Sequence, residues 1–312
     1  MMAPGTIVIG VPTFRRPQWL RRCLQSLLEQ KFDRPFAIVV ADNDPERAEG
    51  IAVCEKLRSE GFPVPLTAIR VTDRGISHAR NALVAEALKH PSVTTIVMID
   101  DDEWADDTWM AELLRVQSLF GADVVGGPVR RVFERAVPGY LSRANQAKFD
   151  KMVDSQVDLI DATSNILFRA ELFRSRAAPW FDPLYALMGC EDKDLLTSFK
   201  LEGRTFAWAS RAYVTEEMPA SRCSQWWMLK RAYRVGNTDT LINLKHRPPG
   251  FNFVSEGAKI VGALCVAAFN VILFAWYPPR RFEGLRLGAR VMGKIVALSG
   301  GQYEEYRVVH GR

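Results

Sequence analysis

The chain has 312 residues, 48% of them apolar, and a formal net charge of +5 from 41 Lys and Arg against 36 Asp and Glu. That balance excludes a disordered chain and allows one large α/β domain with an appendage. The basic residues are spread along the chain rather than gathered in one stripe, which argues against a nucleic-acid partner and for anionic small molecules or an anionic membrane surface.

Thr6 to Gly10 is a β-branched run, predicted as a strand, and Leu20, Cys23, Leu24, Leu27 and Leu28 then recur at helical spacing. Pro4 and Gly5 interrupt the N-terminus before any apolar run, so no secretion signal is expected. The five cysteines include no C-x-x-C pair, which speaks against a disulfide framework or zinc site and for a reducing cytoplasm. The same order then repeats. "FAIVVADND" reads as a strand and "AEGIAVCEKLRSEG" as a helix; "LTAIRVTD" and "ISHARNALVAEALKH" follow as the next pair. "VTTIVMIDDDEW" is a further strand and "ADDTWMAELLRVQSLFG" a further helix. Alternating strands and helices predict a parallel sheet with ligands gathered at the carboxyl ends of its strands. "ADVVGGPV" reads as a strand, "DATSNILFRAELF" as strand then helix, "GCEDKDLLTSFKLEG" as a loop opening a helix, and "RTFAWASRAYVTEE" as one strand.

After Pro248 the texture changes. Ile260 to Tyr277 carries no charge and is near the length that spans a bilayer, roughly 17–25 residues. "LRLGARVMGKIVALSG" sets Arg286, Arg290 and Lys294 against an apolar side, as an interfacial helix would. Both segments fit membrane attachment, and both fit helices packed on the preceding domain.

The polar residues with chemistry follow the strands. Thr13 and two arginines sit in "VPTFRRP", and Asp42 in "ADNDPER" can accept from a base N–H or a ribose hydroxyl. In "DRGISHARNAL", Gly75 permits a turn while Arg74 and Arg80 can reach phosphate or fix a carboxylate. The four acids Asp100 to Glu103 repel one another, a cost relieved by a divalent cation that prefers oxygen. In an extended segment Asp100 and Asp102 would share one face. Asp106 and Asp107 fit the acidic first turn of a helix. In "MGCEDKDL" a carboxylate can act as general base, with Asp194 equally suited to cap a helix. Trp226 and Trp227, followed by several arginines, suit sugar stacking and pyrophosphate binding, or a core position.

"VPTFRRPQWLRRCLQSLLEQ", "VVADND", "RGISHARN", "MIDDDEW", "SNILFRAELF", "GCEDKDL" and "SRCSQWWMLKRAYRVGN" fall in the order seen in family two of the nucleotide-sugar glycosyltransferases. The chain resembles the bacterial exopolysaccharide branch of that family, with its succinoglycan-type glucosyltransferases, over roughly Thr6 to Asn237. The resemblance implies a GT-A, Rossmann-like, mostly parallel sheet flanked by helices. Together with the change of composition after Pro248 it gives a transferase domain over 1–247 (a nucleotide-binding half, 1–125, and an acceptor half, 126–247) and an expected membrane-associating helical extension over 248–312.

The activity it implies is metal-dependent, inverting transfer of one hexose from a UDP-sugar; the composition of the tail after Pro248 adds the expectation of a polyprenyl-diphosphate-linked glycan as acceptor, at the cytoplasmic face of the inner membrane. By the resemblance, Asp102, with Asp100, would ligate Mg²⁺ or Mn²⁺. Pro12, Thr13, Arg15, Asp42, Asp44, Arg74, Gly75, Arg80, Asp100 and Asp101 would bind the nucleotide sugar. Asp192 would be the base, with Glu191 and Asp194 in support. Asn165, Trp226, Trp227, Arg231 and Arg234 would meet the acceptor or the diphosphate. The Gln225-Trp226-Trp227 cluster departs from the Q-x-x-R-W motif of processive synthases, which favours single transfer. Two rival readings are a sugar nucleotidyltransferase, against which "VPTFRRPQ" lacks a glycine-rich phosphate loop, and a membrane-tethered nucleotide-sugar or glycan-binding subunit without catalysis.

Overall fold

The computed structural model describes residues 6–141, 152–160 and 164–304. Strands β1 (Thr6–Thr13), β2 (Phe36–Asp42), β3 (Leu66–Arg70) and β4 (Val93–Ile99) alternate with helices α1 (Pro17–Leu28), α2 (Glu49–Ser59) and α3 (Ile76–Leu88). All four strands are parallel, in the order β3-β2-β1-β4. The alternation of side chains along β1 explains the layering. Ile7, Ile9 and Val11 face one core, with Leu20, Leu24 and Leu27 of α1. Val8 faces the other, with Leu83, Val84 and Ala87 of α3.

The expected strand over 93–104 is two strands. The chain leaves β4 at Asp100, turns at Asp101 and Asp102, and enters β5 (Glu103–Ala105) in a second, three-stranded sheet. After α4 (Trp109–Phe120), two more runs cross between the sheets in the same way. Gly127 and Pro128 separate β6 (Val124–Gly126) from β7 (Val129–Phe133). The single strand expected over 204–217 is β10 (Phe206–Trp208) in the large sheet and β11 (Val214–Met218) in the small one. Strands β8 (Ser155–Val157) and β9 (Asn165–Arg169) complete the large sheet, which runs β3-β2-β1-β4-β9-β6-β10-β8. The first three residues of the expected strand at 161–173 lie outside the described residues. Helices α5 (Glu171–Arg174) and α6 (Glu191–Leu201) follow β9.

The C-terminal part is three long helices: α7 (Gln225–His246), α8 (Phe253–Leu273) and α9 (Pro278–Leu298). The expected apolar span over 260–277 thus begins inside a helix that starts seven residues earlier. Helix α8 has a mean hydropathy of 1.7 over its most apolar window, of which 6% is buried, and by length and composition it can cross a membrane. Helices α7 and α9 cross at two glycines. A Cβ on Gly236 would stand 1.9 Å from the Arg290 carbonyl oxygen, and one on Gly293 would stand 2.0 Å from that of Tyr233. The obstacles are backbone, so only separation of the helices relieves them. Gly236→Ala is therefore expected to cost about 2 kcal/mol or more through overpacking. Gly262→Ala, in open space on α8, should be neutral or stabilising by up to about 1 kcal/mol. Thermal unfolding in detergent reads the contrast, and equal melting temperatures for the two variants would contradict the close crossing.

Candidate active site

Parallel pairing brings the ends of β1, β2 and β4 to one edge, with Thr13 opposite Asp42 and Gly10 opposite Met98. The antiparallel β9 starts at the same edge, with Asn165 opposite Ile99. Pro12 and Thr13 close β1, and the Thr13 hydroxyl donates to Asp101 at 2.8 Å. Arg16 then bonds Asp101 at 3.1 Å and Asp102 at 3.0 Å. Asp100 turns the other way, to Arg80 at 3.0 Å. The expectation that Asp100 and Asp102 share a face is thus corrected. The tract is a turn between two sheets, not an extended strand, and the period of two does not apply.

Burial sets the charge state of the tract. It pushes Asp102 up to about 7, with Arg16 and Arg222 opposing and Asp101 and Glu216 adding to it. Asp101 is raised for the same first reason, against Arg16 and Thr13. Glu103 is raised well above its ordinary value by burial and by Asp100, Glu216 and Asp102. Behind it, Glu216 pairs with Arg131 at 2.8 Å; burial raises this carboxyl, but Arg131, Arg231 and Arg222 hold it below its ordinary value. Arg222 lies 3.5 Å from Asp102 and 3.8 Å from Glu216.

On the far side, Gly189 and Cys190 both take positive φ, +74° and +70°, to turn the chain into α6. The acidic first turn of α6 is favourable at a helix N-terminus. Its Glu191 is buried and accepts from Arg80 at 2.5 Å, while Asp192 stands 4.0 Å from the same guanidinium. One guanidinium therefore spans the acid tract and the Glu191-Asp192 pair. Of the three α6 carboxylates Asp192 is the most open, with 20% of its side chain exposed against 3% for Glu191 and 6% for Asp194. Asp194 is committed elsewhere, to Lys245 at 2.6 Å and His246 at 2.8 Å, and so ties α6 to the end of α7. It stands in the fourth position of the helix, not at its cap, which is Cys190.

Burial pushes Glu191 up to about 8, with Arg80 opposing and Asp192 adding. The folded protein therefore holds this proton where the unfolded chain, near 4.5, has released it. Its contribution to stability is complete below about pH 4.5 and is lost as pH rises through 8. Glu191→Gln should accordingly lose less unfolding free energy than wild type between pH 5 and pH 9 in denaturant titrations. A parallel decline in both proteins would count against a protonated Glu191.

The remaining expected residues fall into two groups. Asp42 sits at the end of β2, fully buried, accepting the amides of Asp44 and Ile51 at 3.1 Å each. Asp44 is clamped by Arg15 at 2.6 Å, and Arg74 lies over the Phe14 ring at 5.3 Å. Gly75, at φ +140°, donates to Asn43, and a Cβ there would meet Ala186 at 2.5 Å. These residues build the loops at the carboxyl ends of β1, β2 and β3. Asn165, expected at the acceptor, is buried and its amide is spent: it bonds Pro128 and Ala212 carbonyls at 3.0 and 2.7 Å and accepts from Trp109 at 2.7 Å. It therefore pins two of the three sheet crossings and acts by positioning.

Trp226 is 66% exposed, whereas Trp227 is buried between Arg222 and Arg231. Burial together with Arg131, Arg234 and Arg222 pushes Arg231 down to about 10, against the pull of Glu216. Arg234 opposes the burial that raises the Cys190 thiol to about 11. Asp106 and Asp107, expected in a capping turn, lie just before α4, where Asp107 accepts the amide of the cap residue Thr108, and they also pair with Arg130 and Lys31.

The metal expectation can be tested on the donors. Among the described residues no group of three or more His, Cys, Asp or Glu could by itself hold a metal ion. Hard oxygen donors from one acid tract, with a buried carboxylate whose charge is under-compensated, nonetheless fit a Mg²⁺- or Mn²⁺-like cation that takes its other ligands from phosphate.

Residues 8–176 match the family described as glycosyl transferase family 2. Over 309 residues the chain is 31% identical to the succinoglycan biosynthesis protein ExoM of Rhizobium meliloti (strain 1021), covering 96% of this chain and 95% of that one. Solved structures are similar as well. The mannosyltransferase PcManGT from Pyrobaculum calidifontis, in complex with GDP-Man and Mn²⁺, gives a TM-score of 0.66 at 15% identity, over 95% of this chain and 88% of that one. S. aureus TarS 1-349, in complex with UDP-GlcNAc, gives 0.53 at 15% identity, over 96% and 93%. Of a longer TarS structure the chain spans 43%. At such identities these structures share the fold. The chain belongs to glycosyl transferase family 2, on a GT-A-like α/β fold, and is related to proteins of exopolysaccharide synthesis.

Proposed function

We propose that the protein transfers a single hexose from a UDP-sugar to a hydroxyl of a lipid-linked oligosaccharide, with inversion at the anomeric carbon. The observation that carries this reading is the Arg80 bridge, which sets the Asp192 carboxylate across from the Asp100–Asp102 turn. Asp192 takes the proton of the acceptor hydroxyl, and the hydroxyl oxygen attacks the anomeric carbon from the face opposite the leaving UDP. Arg80 and Glu191 hold Asp192 in place. Arg16 and Arg222 supply positive charge beside the turn, where charge grows on the departing diphosphate. Asp102 and Asp100 would hold a divalent cation, which when bound neutralises the diphosphate. In support, the similar TarS and PcManGT structures carry a UDP-sugar, and a GDP-sugar with Mn²⁺. The reading includes the division of the chain into a transferase domain over 1–247 and an extension over 248–312.

The test is product analysis on a panel of UDP-sugars with a lipid-linked acceptor. Free UDP together with a lengthened glycan supports transfer; pyrophosphate would establish the nucleotidyltransferase instead, and no product from any sugar would leave a binding subunit.

The same reading places α8 in the inner membrane from its cytoplasmic side. Its exposed apolar residues, among them Leu264, Phe269 and Ile272, have nothing to cover them among the described residues. Truncation is a poor test, because α9 would be stripped from α7. Changing Leu264, Phe269 and Ile272 together to Glu keeps the helix. Each Glu in a bilayer core costs about 2–3 kcal/mol, so the variant should move from the membrane pellet to the supernatant. An unchanged pellet would defeat insertion of α8.

A further inference from the structure

A cavity of about 350 Å³ lies between β7, α7 and α9, next to the arginines that surround Glu216. Its lining has two characters. Arg131, Arg231, Arg286 and Arg290 bring four guanidinium groups to it. Arg131 is paired with Glu216 and Arg290 with Asp239, but Arg231 and Arg286 have no ion-pair partner among the described residues. Trp227, also on the wall, has a buried indole N–H with no acceptor among the described residues. A buried donor left unpaired costs about 1–3 kcal/mol. Two guanidinium groups without an ion-pair partner and the indole N–H, against one lining carboxylate, Glu283, favour a ligand with anionic oxygens, for which guanidinium is the matching group.

The other character is apolar: Phe133, Leu141, Met228, Phe282 and Leu287 share the same space. An anion alone would not need that wall. Phe282 and Leu287 belong to α9, which packs along α8, the helix whose apolar surface faces outward. Of the two helices it is α9 that lines the cavity, and α9 packs along the outward-facing apolar helix α8.

We propose that this cavity receives the phosphate end and first hydrocarbon units of a lipid phosphate or diphosphate, the carrier of the acceptor glycan. This rests on the lipid-linked acceptor of the preceding reading. The donor side stays at the Asp100–Asp102 turn, and Arg222, which touches Asp102 and lies over Trp227, separates the two. Phosphate binding in the cavity would hold the glycan's carrier at the membrane face while its free end reaches Asp192.

Arg286 is exposed at the cavity, so its replacement leaves the core untouched. The full chain in detergent is titrated calorimetrically with farnesyl diphosphate, inorganic pyrophosphate, farnesol and phosphatidylglycerol. Farnesyl diphosphate should bind about tenfold or more tighter than each of the others, since only it satisfies both halves of the cavity. Arg286→Glu should weaken it by about tenfold or more, and Arg286→Lys by much less. UDP release from UDP-sugar in water should be unchanged in both variants. Equal binding of pyrophosphate would reduce the cavity to an anion site. Equal binding of phosphatidylglycerol would make it a general headgroup site, and an unaffected Arg286→Glu would place the lipid elsewhere; each overturns the proposal. Loss of UDP release from every UDP-sugar with lipid binding intact would instead remove the donor reading and leave the cavity as assigned.

Discussion

Asp192→Asn should lower kcat by about three orders of magnitude, within the range that a positioned general base contributes, and leave the dissociation constant of the UDP-sugar within about threefold. The expectation follows from how the three acids of α6 are spent. Asp194 is held by Lys245 and His246, and Glu191 is buried against Arg80. Asp192 keeps the most exposed carboxylate of the three, 4.0 Å from the same arginine. An amide in its place preserves shape and the hydrogen bond from the Lys193 amide but cannot take a proton. Steady-state turnover with calorimetric donor binding separates the two effects. Near-normal turnover by Asp192→Asn would hand the base role to another carboxylate, and parallel loss of binding and turnover would make Asp192 a donor ligand. Glu191→Gln should fall less in kcat than Asp192→Asn, because Glu191 acts through Arg80 rather than on the acceptor.

The order of strands and helices in the first hundred residues was legible because each element carries its own period. The continuous apolar run of β1 divides between two cores, and the helical spacing of α1 faces one of them. What the sequence could not show is where the chain changes sheets. Asp100–Asp102, Gly127–Pro128 and Ser210–Tyr213 each look like part of a strand or a loop, and only pairing between distant strands makes them crossings. For that reason the period of two that would align Asp100 with Asp102 does not apply across the turn. The same nonlocal pairing hid Arg131, Glu216 and Arg222 from sequence reading. Parallel register places Glu216 opposite Arg131, and the only local trace is the charge inside "VRRVF" and "VTEEM", where a half-buried strand would be apolar. Arg16 was in view beside Arg15, but nothing in the tetrapeptide "TFRR" distinguishes the arginine that reaches Asp102 from the one that turns to Asp44. The left-handed φ of +56° at Arg15 makes that division. Helix α7 carries no single apolar face in its sequence, because its mixture of aromatic and basic residues meets a cavity and a neighbouring helix rather than one uniform core.

Asp102→Asn is expected to abolish most of the divalent-cation-dependent turnover, by about 10²–10³, and to leave the fold at least as stable. The two halves of that expectation have one cause. The carboxylate is buried, and burial with Asp101 and Glu216 nearby raises it to about 7 despite Arg16 and Arg222. A charge held at such a disadvantage adds nothing to the folded state, so a neutral amide of the same shape, still able to accept from Arg16, relieves repulsion instead of removing support. A residue kept for packing would show the opposite pattern, with stability lost first and activity following it. Thermal unfolding and UDP release across a Mg²⁺ and Mn²⁺ titration distinguish the cases. If Asp102→Asn responds to the cation as wild type does, the cation is held elsewhere. If the variant unfolds early, Asp102 is a structural partner of Arg16, and the positive charge needed by the departing diphosphate falls to Arg16 and Arg222 alone.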